Sequence, residues 1–308
     1  MSDMKTKILE AQIYSIESHE TFKYDCLIII GGELNGRVFE LSQSKMSLGR
    51  SEENDIVIDI KGVSRTHLAI IIDGQKIQLI DLGSANGTYI NEKKIDTRVT
   101  LRSGDLIKIG HVTLKFLTKD SIDMKAHQML IEQATKDGLT GCFNKNYMFK
   151  ALEREIANAK KGKESLSLIV LDIDHFKVLN DSKGHDAGDF VLKEMARIIR
   201  NDYLNRRDIF ARYGGEEFIV LMLNANAETA FSWANIIRKA IAEHDFSYDK
   251  ENLRVTVSIG ISEFSSDLAI TANELFIQAD KALYHSKQSG RNKVSCYRDL
   301  EQKNNHET

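Results

Sequence analysis

Arg212-Tyr213-Gly214-Gly215-Glu216-Glu217-Phe218 runs directly into the apolar stretch Ile219-Val220-Leu221-Met222-Leu223. Apolar alternation at Ile209, Ala211 and Tyr213 precedes the glycines, so the segment predicts a β-hairpin with two glycines and two carboxylates at its turn. Glycine tolerates positive φ and lets phosphates approach the backbone where a Cβ would block them. Two adjacent acids at such a turn suit a divalent metal that holds a polyphosphate. A solvated acidic tip is the other reading of the heptapeptide taken alone. A second acidic group closes the apolar run Leu166–Ile173, in Asp172-Ile173-Asp174-His175-Phe176-Lys177. An ionised Asp at the end of a buried strand is unfavourable unless it is paired or bound to a cation. If the strand and the hairpin are neighbours, Asp172, Glu216 and Glu217 form an all-oxygen cage for Mg²⁺, with Mn²⁺ also admissible. The alternative is that the acids cap the strand and face water.

Further residues could serve a nucleotide. The polar turn Asn180-Asp181-Ser182-Lys183-Gly184-His185-Asp186-Ala187-Gly188-Asp189 places Asn180 and Asp189 where they could frame a planar base. A carboxylate matches the paired donors of guanine and has no such pair in adenine. Lys287 and Arg291 stand four apart, which on one helix face aims two cations at one anion. In the N-terminal half, Leu48-Gly49-Arg50-Ser51, Val63-Ser64-Arg65-Thr66-His67 and Asp81-Leu82-Gly83-Ser84-Ala85-Asn86-Gly87-Thr88 supply a guanidinium fork, a hydroxyl and an amide without a nucleophile–base pair. That argues recognition rather than catalysis. His67 opens an apolar run and reads as a structural hydrogen-bonder.

The elements that must hold these residues fall into two kinds. Residues 1–26 read as a flexible tail with weak periodicity. From 27 to 118, short β runs with turn signals between them, including the hairpin signal Asp73-Gly74, predict a β-sandwich. Residues 119–136 take helical spacing, with Ile122, Ala126, Met129, Leu130, Gln133 and Ala134 near one face, as in a connector or a short dimer seam. Residues 137–298 alternate helices (187–203, 227–244, 271–289) with strands (166–173, 253–264, 294–297) around a central sheet, and a polar tail follows from 299 to 308. The charge of −3 gives no whole-chain argument for nucleic acid. Three scattered cysteines and no long uncharged apolar stretch lead to the expectation of a cytoplasmic protein without disulfides or membrane insertion.

The segment Asp137-Gly138-Leu139-Thr140-Gly141-Cys142-Phe143-Asn144-Lys145 resembles the D-x-LTG-L-x-N-R opening of GGDEF domains. Asp172–Lys177, Asn180, His185–Asp189, Gly214–Phe218, Val257-Ser258-Ile259-Gly260-Ile261 and Ala279–Tyr284 with Ser289–Asn292 resemble that family in order and spacing. The resemblance implies an α/β, palm-like fold of nucleotide-cyclase type and a diguanylate cyclase, which condenses two GTP into cyclic di-GMP and two pyrophosphates across a homodimer. It implies Asp172, the Ile173 carbonyl, Glu216 and Glu217 as metal ligands. Asn180, His185 and Asp189 would contact the guanine nucleotide, and Gly214 and Gly215 would leave room for the triphosphate. Lys177, Lys287 and Arg291 would meet the phosphates, and Glu216 is the implied base for the ribose 3′-hydroxyl. Many members carry an inhibitory R-x-x-D site; here it reads Asn205-Arg206-Arg207-Asp208, so Asp208 is kept and the usual Arg is Asn205. Product inhibition is therefore expected to be weak unless Arg206 substitutes.

The three N-terminal blocks resemble the G-R … S-x-x-H … N-G signature of forkhead-associated (FHA) domains, which are all-β sandwiches that bind phosphothreonine peptides. Arg50, Ser64 and Arg65 are the implied phosphate contacts, and Asn86 would hold the peptide main chain. The partner is then a phosphothreonine protein, or the chain's own tail phosphorylated at Thr6, with Leu9 at the plus-three position. A scaffold that only binds GTP or cyclic di-GMP is the alternative function.

Overall fold

The computed structural model describes residues 22–32, 34–265 and 270–306. The chain divides into two compact units, Met1–Ala134 and Thr135–Thr308.

The first unit is a β-sandwich, as its short alternating runs predict. One sheet has the order β2 (Val38–Glu40), β1 (Cys26–Ile30), β11 (Val112–Leu117), β10 (Leu106–Ile109), β7 (Thr88–Ile90), β8 (Lys93–Lys94). The other runs β4 (Ile56–Val57), β3 (Lys45–Gly49), β5 (Leu68–Asp73), β6 (Lys76–Asp81), β9 (Val99–Thr100). Leu48, Leu68, Ile70, Leu79, Ile107, Leu114 and Phe116 fill the space between them. Strand β1 is apolar on both faces: Leu27 and Ile29 enter this core, while Cys26 and Ile28 meet Leu117 and Met124 in a second cluster. Met124 lies on α1 (Ile122–Thr135), whose start is capped by the Ser121 hydroxyl accepting from Met124 N–H at 3.2 Å. The helix is docked by Met124, which the expected stripe omits. Of that stripe, Ile122, Met129 and Leu130 are 85%, 63% and 52% exposed.

The second unit is built on a sheet ordered β12 (Phe143–Asn144), β14 (Ile209–Gly214), β15 (Glu217–Leu223), β13 (Leu166–Ile173), β18 (Val257–Phe264), β19 (Val294–Cys296). Strand β13 is buried at all eight positions because helices cover the sheet and strands flank it on both sides. The helices are α2 (Lys145–Gly162), α3 (Phe176–Lys183), α4 (His185–Ile198), α5 (Ala227–Glu243), α6 (Ala272–Gln288) and α7 (Tyr297–His306). The helix expected over 187–203 starts earlier, at His185, and ends in a π turn, Ile199–Tyr203. The indole N–H of Trp233 donates to the Tyr203 carbonyl at 2.8 Å and so satisfies the backbone where that turn ends. The residues expected as a polar tail from 299 are helical to His306. A separate hairpin pairs β16 (Phe246–Tyr248) with β17 (Glu251–Leu253).

Helix α6 starts with a capping box, Thr271 with Glu274, and lies directly on β18. Gly260 makes that approach possible: a Cβ there would stand 2.1 Å from both the Ala279 oxygen and the Leu283 nitrogen. Ser262 and Ser286 hydroxyls tie helix to strand by donating to the Leu275 and Ile259 carbonyls at 2.7 and 2.8 Å.

Candidate functional site

Register alone brings the two acidic segments together. Asp172, near the end of β13, is paired with Glu217 on one side and Ser258 on the other. Directly opposed residues share a face of the sheet, so the two carboxylates are neighbours. Burial pushes the Asp172 carboxyl up, and Glu216 and Asp174 add to this against the opposing pull of Lys287. Glu217 is raised by burial and then by Asp172, with Asp280 and Glu216 contributing. The Lys287 ammonium sits 2.7 Å from Asp172 Oδ2. Among the described residues no three His, Cys, Asp or Glu side chains are already gathered as a metal cluster. The expected cage is thus a set of neighbouring carboxylates rather than a closed shell. Its donors are all oxygen, and their mutual repulsion favours a hard divalent cation, so the set fits one.

The glycine-rich segment is the hairpin expected. Strands β14 and β15 pair antiparallel with a register shift between Arg212 and Gly214, and Gly215 takes φ 55 in the left-handed region. Arg212 clamps the tip: its Nε and Nη2 donate to the Gly215 carbonyl at 3.0 and 2.7 Å, and its Nη1 reaches Asp137 at 3.2 Å. Asp137 also accepts from the Thr140 N–H and hydroxyl at 2.9 and 2.7 Å. Burial pushes its carboxyl up, but the Thr140 bonds and Arg212 outweigh this and hold it below the usual range. Tyr213 stacks on Phe276 at 4.9 Å, and the Lys145 ammonium lies 4.0 Å over its ring. Sequence reasoning assigned no role to Asp137 or Arg212, although both lie inside the motifs it quoted.

On the nucleotide side, Asn180 belongs to α3 and His185 and Asp189 to the start of α4, with Gly184 at φ 87 turning the chain between them. Gly188 lets the helices close: a Cβ there would lie 1.9 Å from Asn180 Oδ1. That oxygen is buried without a hydrogen-bond partner, while His185, Asp189 and Lys177 are exposed. Arg291 requires a correction. It does not share a helix face with Lys287, because α6 ends at Gln288 and the Ser289-Gly290 turn leaves Arg291 at φ 57. The loop is fixed instead by Asp174, which accepts from Asn292 N–H at 2.9 Å and from the Thr256 and Ser258 hydroxyls at 2.7 and 2.6 Å. Arg238 adds a bond to Asn292 Oδ1 at 2.9 Å. Asp174 is therefore an anchor for the loop carrying Arg291, a role invisible from spacing.

In the sandwich, Arg50 and Ser51 N–H groups donate to the Ser64 and Arg65 carbonyls at 2.9 and 3.0 Å, which seats the loops carrying Arg50 and Ser64 side by side. Gly49 is required there, since a Cβ would meet the Arg65 oxygen at 2.2 Å. Ser64 Oγ accepts from Ala85 N–H at 3.0 Å, and Asn86 donates to the Gly62 carbonyl at 2.8 Å, which brings in the third loop. Arg50, Arg65 and Asn86 side chains are exposed at this end. His67 is fully buried; its Nδ1 accepts from Ser64 N–H at 3.1 Å, so Nε2 carries the proton facing the Gly87 carbonyl at 3.4 Å. Burial keeps its pKa below the ordinary imidazole value.

The family model "Diguanylate cyclase, GGDEF domain" matches residues 134–293. The chain belongs to the GGDEF diguanylate cyclase family. An FHA domain model matches residues 46–110, within the sandwich. Diguanylate cyclase A of Treponema denticola is 44% identical over 172 residues, 55% of this chain and 46% of that protein. A diguanylate cyclase of Vibrio cholerae is 32% identical over 247 residues, 80% of this chain and 73% of that protein. The chain thus spans about half the length of the first of these relatives. The crystal structure of the coiled coil and GGDEF domain of DgcB from Caulobacter crescentus in complex with c-di-GMP has a TM-score of 0.52 at 32% identity, over 56% of this chain and 90% of that one.

Within the GGDEF domain, the Asn205–Asp208 segment is self-satisfied. Asp208 is buried and accepts from the Asn205 N–H and amide at 3.1 and 3.0 Å and from Leu223 N–H at 3.3 Å. Burial raises its carboxyl above the usual range despite the Asn205 bonds. Arg206 is exposed and Asp208 points into the fold. Among the described residues no helix is long and apolar enough to cross a membrane.

Proposed function

We propose that this chain is a diguanylate cyclase whose GGDEF domain, over 137–298, condenses two GTP into cyclic di-GMP and two pyrophosphates. In the same reading, the FHA domain over 27–118 recognises a phosphothreonine protein, and residues 119–136 relay that event. The observation that carries the proposal is the cross-strand pair Asp172–Glu217 beside a hairpin tip clamped by Arg212.

Asp172, the Ile173 carbonyl, Glu216 and Glu217 would hold Mg²⁺, or alternatively Mn²⁺, which supplies positive charge to the phosphates and acidity to the attacking hydroxyl. Gly214 and Gly215 leave the triphosphate space against the backbone. The exposed ammonium of Lys177 and the guanidinium of Arg291, on the loop that Asp174 fixes, neutralise phosphate charge. Asn180 and Asp189, with His185, bind the guanine nucleotide, His185 and Asp189 from exposed positions at the start of α4. Glu216, at the turn, takes the proton of the ribose 3′-hydroxyl. Each domain positions one GTP, so a homodimer of facing sites is needed for both phosphodiester bonds to form.

Incubating the purified chain with GTP and Mg²⁺, with and without a phosphothreonine peptide, and resolving the nucleotides tests this reading. Cyclic di-GMP supports it; no product under any condition favours a scaffold that only binds nucleotide. Phosphopeptide binding should fall at least about tenfold in Arg50→Ala, because a charge-assisted phosphate contact is lost. Titration calorimetry checks this, and unchanged affinity removes Arg50 from the site. Thr6, the candidate intramolecular phosphosite, lies outside the described residues.

Turnover is expected to be insensitive to added cyclic di-GMP, since Asp208 is bound internally by Asn205 and the usual Arg is absent. Initial rates at rising product concentration measure this. Strong inhibition in the micromolar range would show that Arg206 and Asp208 still form a binding site.

A further inference from the structure

The ion pair between Lys287 and Asp172 joins a nearly buried carboxylate to a partly exposed cation: their side chains are 7% and 33% exposed for Asp172 and Lys287 respectively. The backbone of Lys287 is fixed. It lies in the last turn of α6, and the preceding residue, Ser286, donates its hydroxyl to the Ile259 carbonyl at 2.8 Å and is also bonded to the Ser295 hydroxyl. The flexible stem can therefore swing the ammonium while its root stays against the sheet. Arg291, the other cation of the pair noted in the sequence, is exposed and has no carboxylate partner among the described residues. The two cations are thus held in different situations, one spent on the acidic group and one free for an incoming anion.

Asp172 is also the carboxylate that the proposed function assigns to a divalent cation. One buried carboxylate beside Glu217 cannot keep an ammonium in contact and accept a divalent cation at full strength, because the two cations repel each other at this range in a partly buried setting. Resting on the proposed cyclase reading, we propose that Lys287 is an exchangeable counter-ion: it competes with the divalent cation for Asp172, and nucleotide phosphates relieve the competition by giving the ammonium a second partner. Cation and nucleotide then bind cooperatively, and the acidic site takes metal alone only weakly. The coupling is reciprocal, so metal strengthens nucleotide binding by the same factor.

The test uses the full chain and reads binding rather than turnover. Mn²⁺ alone is titrated into wild type, Lys287→Met and Lys287→Gln by calorimetry, then again with a non-hydrolysable GTP analogue present. Removing the ammonium is expected to tighten Mn²⁺ binding without nucleotide roughly tenfold and to shrink the gain that the analogue confers. Both substitutions remove the charge, and the glutamine keeps a polar head, so a packing fault in one variant leaves the other informative. Equal or weaker Mn²⁺ affinity in a folded variant overturns the exchange while leaving the cyclase reading intact. Absence of Mn²⁺ binding in all three proteins, with and without the analogue, overturns the metal site of the cyclase reading and this inference with it.

Discussion

Glu217→Ala is expected to reduce cyclic di-GMP formation by roughly 10³-fold, the equivalent of the several kcal/mol that a metal-held charge contributes to a transition state. The same change should leave stability unaltered or improved. Glu217 stands opposite Asp172, and folding raises its proton affinity through burial and that neighbour. A carboxyl raised in this way opposes folding at neutral pH and ceases to do so as pH falls into the carboxylate range. Removing it relieves repulsion in the resting fold and removes a proposed metal ligand, which is the trade between stability and activity expected of a charged site. Chromatographic product assay and thermal unfolding on the same sample check both halves. Retained turnover would take Glu217 out of the site; lost turnover with a collapsed melting temperature would mean the residue is structural.

Gly260→Ala should strongly destabilise the second unit although it adds only one methyl group. The new Cβ would stand 2.1 Å from two backbone atoms of α6, Ala279 O and Leu283 N, and neither can rotate away. Overpacking of this kind costs about 3 kcal/mol, which for a unit of this size lowers the melting temperature by roughly 10 °C. Calorimetry of the whole chain should show only the cyclase transition moving, because the sandwich has its own core. Gly138→Ala is the control: nothing lies within 4 Å of its Cβ position, so that transition should stay in place. An unmoved cyclase transition in Gly260→Ala would mean that α6 can withdraw from β18 freely, and Lys287 with it.

Much of this molecule is legible in its sequence where one local signal decides one local outcome. The run Leu166–Ile173, apolar except at Ser167 and Asp172, reads as a strand covered on both faces, and Gly214-Gly215 before an apolar run reads as a hairpin turn; both are found. The helix expected over 271–289 is α6, Ala272–Gln288. What escaped were features that arise from three-dimensional proximity. Helix α3 begins after His175, a non-glycine residue at φ 58 without a side-chain cap, so no sequence signal announces it. The i, i+4 spacing of Lys287 and Arg291 suggested a shared face, but the cap that ends α6 intervenes between them. Asp174 looked like one more acid at a strand end, and only the fold shows Thr256, Ser258 and Asn292 converging on it. In the connector, the periodic stripe was read correctly as helical, yet the residue that docks the helix is Met124, outside that stripe. A neighbouring strand, β1, with apolar side chains on both faces decided that, and helical periodicity alone contains no information about it.

Trp233 is the only tryptophan in the chain, and its indole N–H is tied to the carbonyl that closes the π turn, against the core of the second unit. Emission excited at the red edge, where tyrosine is dark, therefore originates from the GGDEF domain alone. Its ground-state hydrogen bond ends two residues before Asn205, so the signal also samples the loop in which Asn205 and Asp208 bind each other. The native chain thus contains a single-site optical reporter: one fluorophore follows unfolding of the second unit and any rearrangement at the Asn205–Asp208 loop, with the tryptophan-free sandwich spectroscopically silent.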